Sequence, residues 1–220
     1  MKIFTNREHA GRELARRLHR EVNCKDAIVL ALPRGGVPVG YAVAQALRLP
    51  LDILVVRKLG VPSQPELAMG AIASGDVVVL NDDIMHMING SQALVEEVSR
   101  IERDELLRRE RTYRGDLPPL QVAGRTVILV DDGAATGATM RAAVRALQQQ
   151  HATQVIAALP TASVEAFHLL KQEADQVVCL QIPELFYSVG EWYQEFAQTT
   201  DQQVMDLLAR ARSMNITQSA

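Results

Sequence analysis

Cysteines, aromatic residues and excess charge are all scarce in this sequence. Among its 220 residues there are two cysteines, 4% of the chain is aromatic, and the formal net charge is -3. Cys24 and Cys179 lie far apart and match no metal-ligand spacing, so we expect reduced thiols rather than a disulfide framework or a zinc site. The slightly acidic balance argues against a general nucleic-acid binder, which is usually strongly basic.

Long apolar runs are also missing. No run approaches the ~20 residues of a transmembrane helix, and the start of the chain is charged throughout, without the apolar core of a signal peptide. We therefore expect a cytoplasmic protein with no membrane contact. With 48% hydrophobic and 22% charged residues, the chain suits one α/β domain plus a modest appendage and is too short for two full domains.

The most informative stretch spans residues 126–140. Residues 126–130 are apolar on both faces, as is typical of a central parallel strand. Asp131 and Asp132 follow, then a loop of small residues, 133–139, that leads into a helix. Ligands bind at the carboxyl ends of strands in open α/β sheets, and a helix N-terminus offers free N–H groups to an anion. The stretch therefore predicts a phosphate-binding loop beside two acids that could hold sugar hydroxyls or a hydrated Mg²⁺.

A second candidate loop follows the predicted strand 27–32, where the sequence continues Pro-Arg-Gly-Gly. Arg34 can bind paired phosphate oxygens with its planar guanidinium group. Gly35 and Gly36 allow the backbone to approach a ligand closely. A tight strand-to-helix turn without any ligand would explain this pattern about equally well.

A third candidate loop follows the predicted strand 51–56. Arg57 and Lys58 stand at its end, and the glycine and prolines of residues 59–66 suggest a mobile loop that could close over an anionic substrate. A surface hairpin whose cations are merely solvated is the alternative.

Residues 127–140 resemble the signature of the type I phosphoribosyltransferases, which bind 5-phosphoribosyl-1-pyrophosphate (PRPP). The shared features are an apolar strand, two acids, a short loop, and then Thr-Gly-x-Thr, here Thr136, Gly137 and Thr139. Beside this signature, the Arg-Gly-Gly turn looks like the pyrophosphate loop of the family. The Arg-Lys segment is similar to the flexible loop of adenine-type relatives.

The resemblance implies a role for each loop. The 5′-phosphate would be bound by Gly133, Ala134, Ala135, Thr136, Gly137, Ala138 and Thr139. The pyrophosphate would be bound by Arg34, Gly35, Gly36, Arg57 and Lys58. Asp131 and Asp132 would hold the ribose hydroxyls and Mg²⁺, the metal being bound through water or the substrate. On the same basis the catalytic residues would be Asp131, Asp132, Lys58 and Arg34.

The region 182–196 contains five of the nine aromatic residues of the chain. In the family this position belongs to a hood that selects the acceptor base, which assigns Phe186, Tyr187 and Trp192 to an acceptor hood. A small satellite core under the predicted helix 202–212 is an equal alternative for most of these rings.

Other local patterns predict two helices, a hairpin and a capped turn. A capping box at residues 5–8 predicts a helix to about Arg20, and a long charged helix is expected over 91–113. Residues 68–73 and 77–80 should form a hairpin. A second strand followed by two acids, Leu-Asn-Asp-Asp at residues 80–83, lacks the glycine-threonine loop, so these acids are expected only to cap a turn.

These elements predict an α/β fold of the type I phosphoribosyltransferase kind, Rossmann-like, with helices on both faces of a mostly parallel sheet. The expected strands of the sheet are 27–32, 51–56, 126–130, 154–159 and 176–180. We expect one domain over residues 1–220, with a core at about 25–180 and a small hood at about 181–220.

The resemblance implies a Mg²⁺-dependent transferase that moves the phosphoribosyl group from PRPP to a small nitrogenous acceptor, such as a nucleobase, and it allows a homodimer. Ala135 stands where relatives that act on 6-oxopurines often have an acid, and adenine-type relatives also have alanine there. The hood matches no acceptor-specific pattern, so the base stays open. A regulatory module that binds PRPP or a nucleotide as a sensor is the alternative function. No Gly-x-Ser-x-Gly motif or histidine pair at metal spacing supports a hydrolase.

Overall fold

The computed structural model describes residues 3–88 and 92–218. The strands are β1 (Ile28–Ala31), β2 (Leu51–Ile53), β3 (Val56–Val61), β4 (Gln64–Ala73), β5 (Val77–Leu80), β6 (Thr126–Val130), β7 (Gln154–Thr161) and β8 (Gln176–Gln181). The α-helices are α1 (Arg7–Glu21), α2 (Gly36–Leu47), α3 (Asp82–Met87), α4 (Gln92–Arg114), α5 (Ala138–Gln149), α6 (Val164–Glu173) and α7 (Asp201–Gln218).

Five strands form a parallel sheet in the order β2-β1-β6-β7-β8. The central strand β6 is buried on both faces: Ile128 and Val130 pack in the core formed with α1, α2, α4 and α7, whereas Val127 and Leu129 pack in the core formed with α5 and α6. Helices therefore cover both faces, which explains why the strand has no polar alternation. The predicted fold class is confirmed.

The register of β1 against β6 positions the two most informative loops. Ala31 lies opposite Val130 at the carboxyl end of the strand pair. Because both strands run in the same direction, the residues that follow them leave the sheet side by side. The Arg-Gly-Gly turn and the two acids are therefore neighbours.

The segment after β2 differs from the expected mobile loop. Residues 56–61 and 64–73 form an antiparallel hairpin, and β5 extends it to a three-stranded sheet. Leu59 and Met69 are fully buried in the main core, so the hairpin is fixed by apolar packing on one of its faces. Sequence reasoning overlooked this buried face because glycine and proline dominated the local pattern.

The aromatic residues near the C-terminal part pack against the segment that precedes α1. Phe4 pairs with this region through hydrogen bonds from its amide to the Trp192 carbonyl and from the Gln194 amide to its own carbonyl, both 2.8 Å. We call the ring group Phe4, Phe186, Trp192, Tyr193 and Phe196 the aromatic cluster. A satellite core is thus present, as one of the two alternatives had it, but it includes Phe4 and Ala10 and contains no residue of α7 among those described.

The start of α1 also differs from expectation. Asn6, and not Thr5, caps α1, because its side chain accepts a hydrogen bond from the amide of His9 at 2.9 Å. The long helix α4 is described from Gln92 onward, so the expected start at Ser91 lies outside the described residues.

The cysteine prediction is confirmed, since both Cys24 and Cys179 are free thiols. Within residues 3–88 and 92–218, no helix has both the length and the apolar character needed to cross a membrane.

Packing of α1 on α2 requires a glycine, which gives a test of the fold. A Cβ at Gly11 would lie 2.5 Å from the Val39 carbonyl oxygen and 2.7 Å from Cβ of Ala42. We expect Gly11→Val to lower the free energy of unfolding by about 1–3 kcal/mol, as overpacking usually does. Urea denaturation would measure the change. The matched control is Arg12→Val at the next, exposed position, where only about 0.5 kcal/mol is expected; equal losses would contradict the packing argument.

Candidate active site

The pyrophosphate loop predicted after β1 touches the acid pair after β6. A Cβ on Gly35 would collide with the carboxylate of Asp132, and one on Gly36 would lie 2.8 Å from the Val130 carbonyl oxygen and 3.0 Å from the Asp131 Cα. A side chain at Gly36 would meet backbone, and one at Gly35 would displace the Asp132 carboxylate. The two loops therefore form one surface at the carboxyl ends of β1 and β6.

Asp131 is the more enclosed of the two acids. Its Oδ1 accepts a hydrogen bond of 2.8 Å from the amide of Asp132. Burial, and second the neighbouring charge of Asp132, raise the pKa of Asp131 well above its ordinary value. Its ionised form is therefore costly without a ligand.

Asp132 is held by groups from two distant parts of the chain. Nε of Arg7 donates to its Oδ2 at 2.8 Å, and the Tyr193 hydroxyl donates to its backbone carbonyl at 2.5 Å. Burial raises the pKa of Asp132, while the hydrogen bond from Arg7 opposes that rise. The two acids thus differ: among residues 3–88 and 92–218, a cation is directly bonded to Asp132 and none to Asp131.

The predicted 5′-phosphate loop is fixed by β7 and by the turn before α6. The amide of Ala134 donates to the Thr161 carbonyl at 3.0 Å, and the Ser163 hydroxyl donates to the Ala135 carbonyl at 2.6 Å. Gly137 has a φ of +72°, a conformation that favours glycine, and α5 begins directly after it. The exposed loop thus leads into a helix N-terminus, whose first amide groups have no partner within the helix.

Lys58 and Arg57 are placed differently from each other. Lys58 lies on β3 and lines a cavity of about 150 Å³ together with Ala138 and Thr139 at the start of α5. Arg57 instead forms an ion pair with Glu102 of α4, with Nη2 and Oε2 2.7 Å apart. The structure brings Lys58, but not the guanidinium of Arg57, to the start of α5.

Arg34 is connected to α7 and α4. Its Nη1 lies 3.7 Å from Oδ1 of Asp201, which also accepts a 2.6 Å hydrogen bond from the Tyr113 hydroxyl. The Arg34 side chain is 38% exposed. Its guanidinium is therefore accessible to a ligand while lying next to an acid.

The three residues assigned to the acceptor hood have unequal access to solvent. Trp192 is only 8% exposed and stacks on Phe186 with ring centroids 6.3 Å apart, whereas Tyr187 is 78% exposed. A hood role for these residues stays a prediction. Trp192 forms part of the packed aromatic cluster, so Phe186 and Tyr187 have more ring surface available.

Sequence reasoning missed four residues that contact the site. They are Arg7, Ser163, Tyr193 and Asp201. Each is separated from its partner by at least 28 positions. Local patterns carry no signal for such contacts, although the position of Arg7 in the first turn of a helix is unusual because cations are disfavoured there.

The cost of burying Asp131 gives a pH-dependent test in the absence of ligand and metal. For an acid whose pKa is raised by folding, stability falls as the pH rises from the unfolded towards the folded pKa. We expect Asp131→Asn to increase the free energy of unfolding at neutral pH by about 1 kcal/mol, a common size for one substitution. The gain should shrink towards acidic pH. Urea denaturation between pH 4 and 8, about the range in which such acids titrate, would measure how this gain depends on pH. If the free energies of unfolding of Asp131→Asn and the wild type differed by the same amount at every pH, burial of the charged acid would not be the cause.

Known proteins provide an independent comparison. The sequence profile described as "Phosphoribosyl transferase domain" matches residues 2–87 and 89–193. Two Mycobacterium tuberculosis proteins, from strains CDC 1551 / Oshkosh and ATCC 25618 / H37Rv, are 46% identical to the chain over 211 residues, covering 96% of the chain and 47% of each protein. Both proteins carry the provisional name of phosphoribosyl transferase. The chain thus spans about half the length of these relatives.

The crystal structure of TT1426 from Thermus thermophilus has 40% identity to this chain and a TM-score of 0.85, and the match covers 96% of this chain and 99% of that one. The chain therefore belongs to the phosphoribosyl transferase domain family.

Proposed function

We propose that this protein transfers the 5-phosphoribosyl group from PRPP to a small nitrogenous acceptor, such as a nucleobase, with release of pyrophosphate. The observation that carries the proposal is the contact between the two strand-end loops, in which Asp132 lies directly against the backbone of Gly35. A ligand with a phosphate at one end and a pyrophosphate at the other, joined by a sugar, could contact both loops at once.

In this proposal the loop 133–139 binds the 5′-phosphate. Its glycine-rich turn and the start of α5 offer backbone amides, and the hydroxyls of Thr136 and Thr139 are exposed beside them. Asp131 and Asp132 accept hydrogen bonds from the ribose hydroxyls. The sugar is thereby fixed between the phosphate loop and the Arg-Gly-Gly turn.

Mg²⁺ is the metal that membership of the family implies, and the two acids fit it. The described part of the chain contains no group of three or more His, Cys, Asp or Glu side chains able to enclose a metal. Mg²⁺ often binds through one or two carboxylates together with substrate phosphates and water. A cation near Asp131 would favour its ionised form. When bound, Mg²⁺ would neutralise charge on the pyrophosphate group.

Arg34 and Lys58 are the proposed contacts to the leaving group. The acceptor nitrogen forms a bond to the anomeric carbon, while the carbon–oxygen bond breaks and its electron pair leaves with pyrophosphate. The proton of the acceptor nitrogen passes to the departing pyrophosphate or to water. Positive charge develops on the sugar in the transition state, and negative charge on pyrophosphate. Fixed cations near that group stabilise the transition state more than the ground state.

The proposal also covers the domain organisation, the cellular location and the oligomeric state of the protein. We infer one domain with a small hood at about residues 181–220, in which Phe186 and Tyr187 lie beside the acceptor. A cytoplasmic location and a homodimer stay predictions. Because the chain covers 47% of its mycobacterial relatives, the activity of the whole protein is likewise a proposal.

The first prediction from this function concerns donor binding. We expect PRPP to bind in a Mg²⁺-dependent manner and Asp131→Asn/Asp132→Asn to weaken that binding about a hundredfold, since two charged hydrogen bonds at about 1.5 kcal/mol each are lost. Isothermal titration calorimetry measures the affinity. A screen of bases and small amines for pyrophosphate release then identifies the acceptor.

The matched control for this experiment is Asp82→Asn/Asp83→Asn. These two acids also follow a strand, but they are exposed and lie in α3, so PRPP affinity should not change. Binding of PRPP without release by any acceptor would favour the sensor function. Absence of binding to the wild-type protein would contradict the proposal.

The second prediction separates leaving-group stabilisation from donor binding. Lys58→Ala should lower kcat by about a hundredfold, the usual cost of losing one contact to transition-state charge. Affinity for ribose 5-phosphate, which lacks the pyrophosphate, should change by less than about threefold. Lys25→Ala, at an exposed lysine before β1, is the control. Equal losses of kcat and ribose 5-phosphate affinity would show that Lys58 has another role.

A further inference from the structure

Arg7 is the one residue from α1 that reaches the acid pair among the contacts described. Its guanidinium bonds to Asp132, 125 positions away, at 2.8 Å. The two side chains are only 11% and 14% exposed. This is therefore a largely desolvated ion pair inside the proposed donor site, and not a surface pair of little consequence.

The guanidinium of Arg7 is itself held on two further sides. It lies 3.9 Å from the ring centroid of Phe196, and its Nη1 donates to the Ala197 carbonyl at 2.7 Å. A planar guanidinium can stack on a ring and donate in two directions at once, which a lysine ammonium cannot do. Arg7 is thus fixed in its orientation before any ligand arrives.

Asp132 is contacted in turn by three residues. Nε of Arg7 donates to its Oδ2, the Tyr193 hydroxyl donates to its backbone carbonyl, and the backbone of Gly35 lies close to the same Oδ2. Arg7 and the backbone of Gly35 therefore both confine this carboxylate. Removing Arg7 would leave a buried charge without its partner, and the carboxylate would be free to turn.

We propose that Arg7 is a positioning residue of the donor site, which fixes the Asp132 carboxylate and neutralises its charge, so that an anionic sugar phosphate can approach this acid. This inference rests on the proposed function. It also makes the aromatic cluster part of the donor site, because Arg7 is held by Phe196 and Ala197. The motif after β6 alone would then be insufficient for full donor affinity.

A purely structural role is the competing explanation. Buried ion pairs often contribute little net stability, and some can be replaced by apolar side chains without loss. In that case Arg7 substitutions would alter the free energy of unfolding but leave donor affinity unchanged. A test must therefore separate folding from binding and must show whether Arg7 acts through Asp132.

The experiment is a double-mutant cycle with Arg7→Met and Asp132→Asn, read out as PRPP affinity by calorimetry with and without Mg²⁺. We expect Arg7→Met to weaken PRPP binding about tenfold, which corresponds to about 1.4 kcal/mol. In the Asp132→Asn background the same substitution should have little further effect, because the group on which Arg7 acts is gone. Additive losses, or unchanged affinity in Arg7→Met, would overturn the inference.

Two further variants complete the design. Arg7→Lys should bind PRPP more tightly than Arg7→Met but less tightly than the wild type, because lysine keeps the positive charge and loses the planar guanidinium that stacks on Phe196. The same variant replaces Arg7→Met in the experiment if Arg7→Met fails to fold. Arg12→Gln, on the exposed side of the same helix where Arg12 pairs with Glu8 at 2.6 Å, should bind PRPP like the wild type. Arg7→Lys binding no better than Arg7→Met would contradict the charge argument. If the wild type itself binds no PRPP, the proposed function fails. If the wild type binds PRPP but the losses in the double-mutant cycle are additive, only the role of Arg7 is overturned.

Discussion

The side-by-side exit of β1 and β6 from the sheet is the constraint on which the proposed site depends. Parallel pairing of Ala31 with Val130 brings two loops together at one edge, and the contact leaves no space for a Cβ at Gly35 or Gly36. Glycine is therefore needed at these positions for close approach of two protein segments, in addition to any approach of a ligand.

The two acids at this edge are electrostatically unequal although they are adjacent in sequence. Asp132 has the guanidinium of Arg7 bonded to it, whereas Asp131 is enclosed and accepts a hydrogen bond from a backbone amide. An enclosed acid destabilises the fold until a ligand compensates it, and such local costs are common at functional sites. The apolar strand that precedes them, buried on both faces, offsets this cost.

The sequence was sufficient to predict the parallel sheet and the loop after β6, because apolar strands and the acid–glycine–threonine pattern are local signals. It was insufficient for Arg7, whose partner is 125 positions away. It also predicted a mobile loop where β3 and β4 form a hairpin, since the buried face that includes Leu59 exists only in the folded core. A satellite core of the later aromatic residues was one of two alternatives, but its packing with Phe4 was not predicted, because nothing local connects Phe4 with residues 186–196.

The pairing of Phe4 with Trp192 and Gln194 has a consequence for how the molecule is assembled. Contacts between residues so far apart in sequence form late, because a long loop must close before they contribute any stability. During synthesis, the backbone of Phe4 cannot form these two hydrogen bonds until residue 194 has left the ribosome. The five strands of the parallel sheet end at Gln181, so every strand of that sheet has been synthesised before Phe4 can form this pairing.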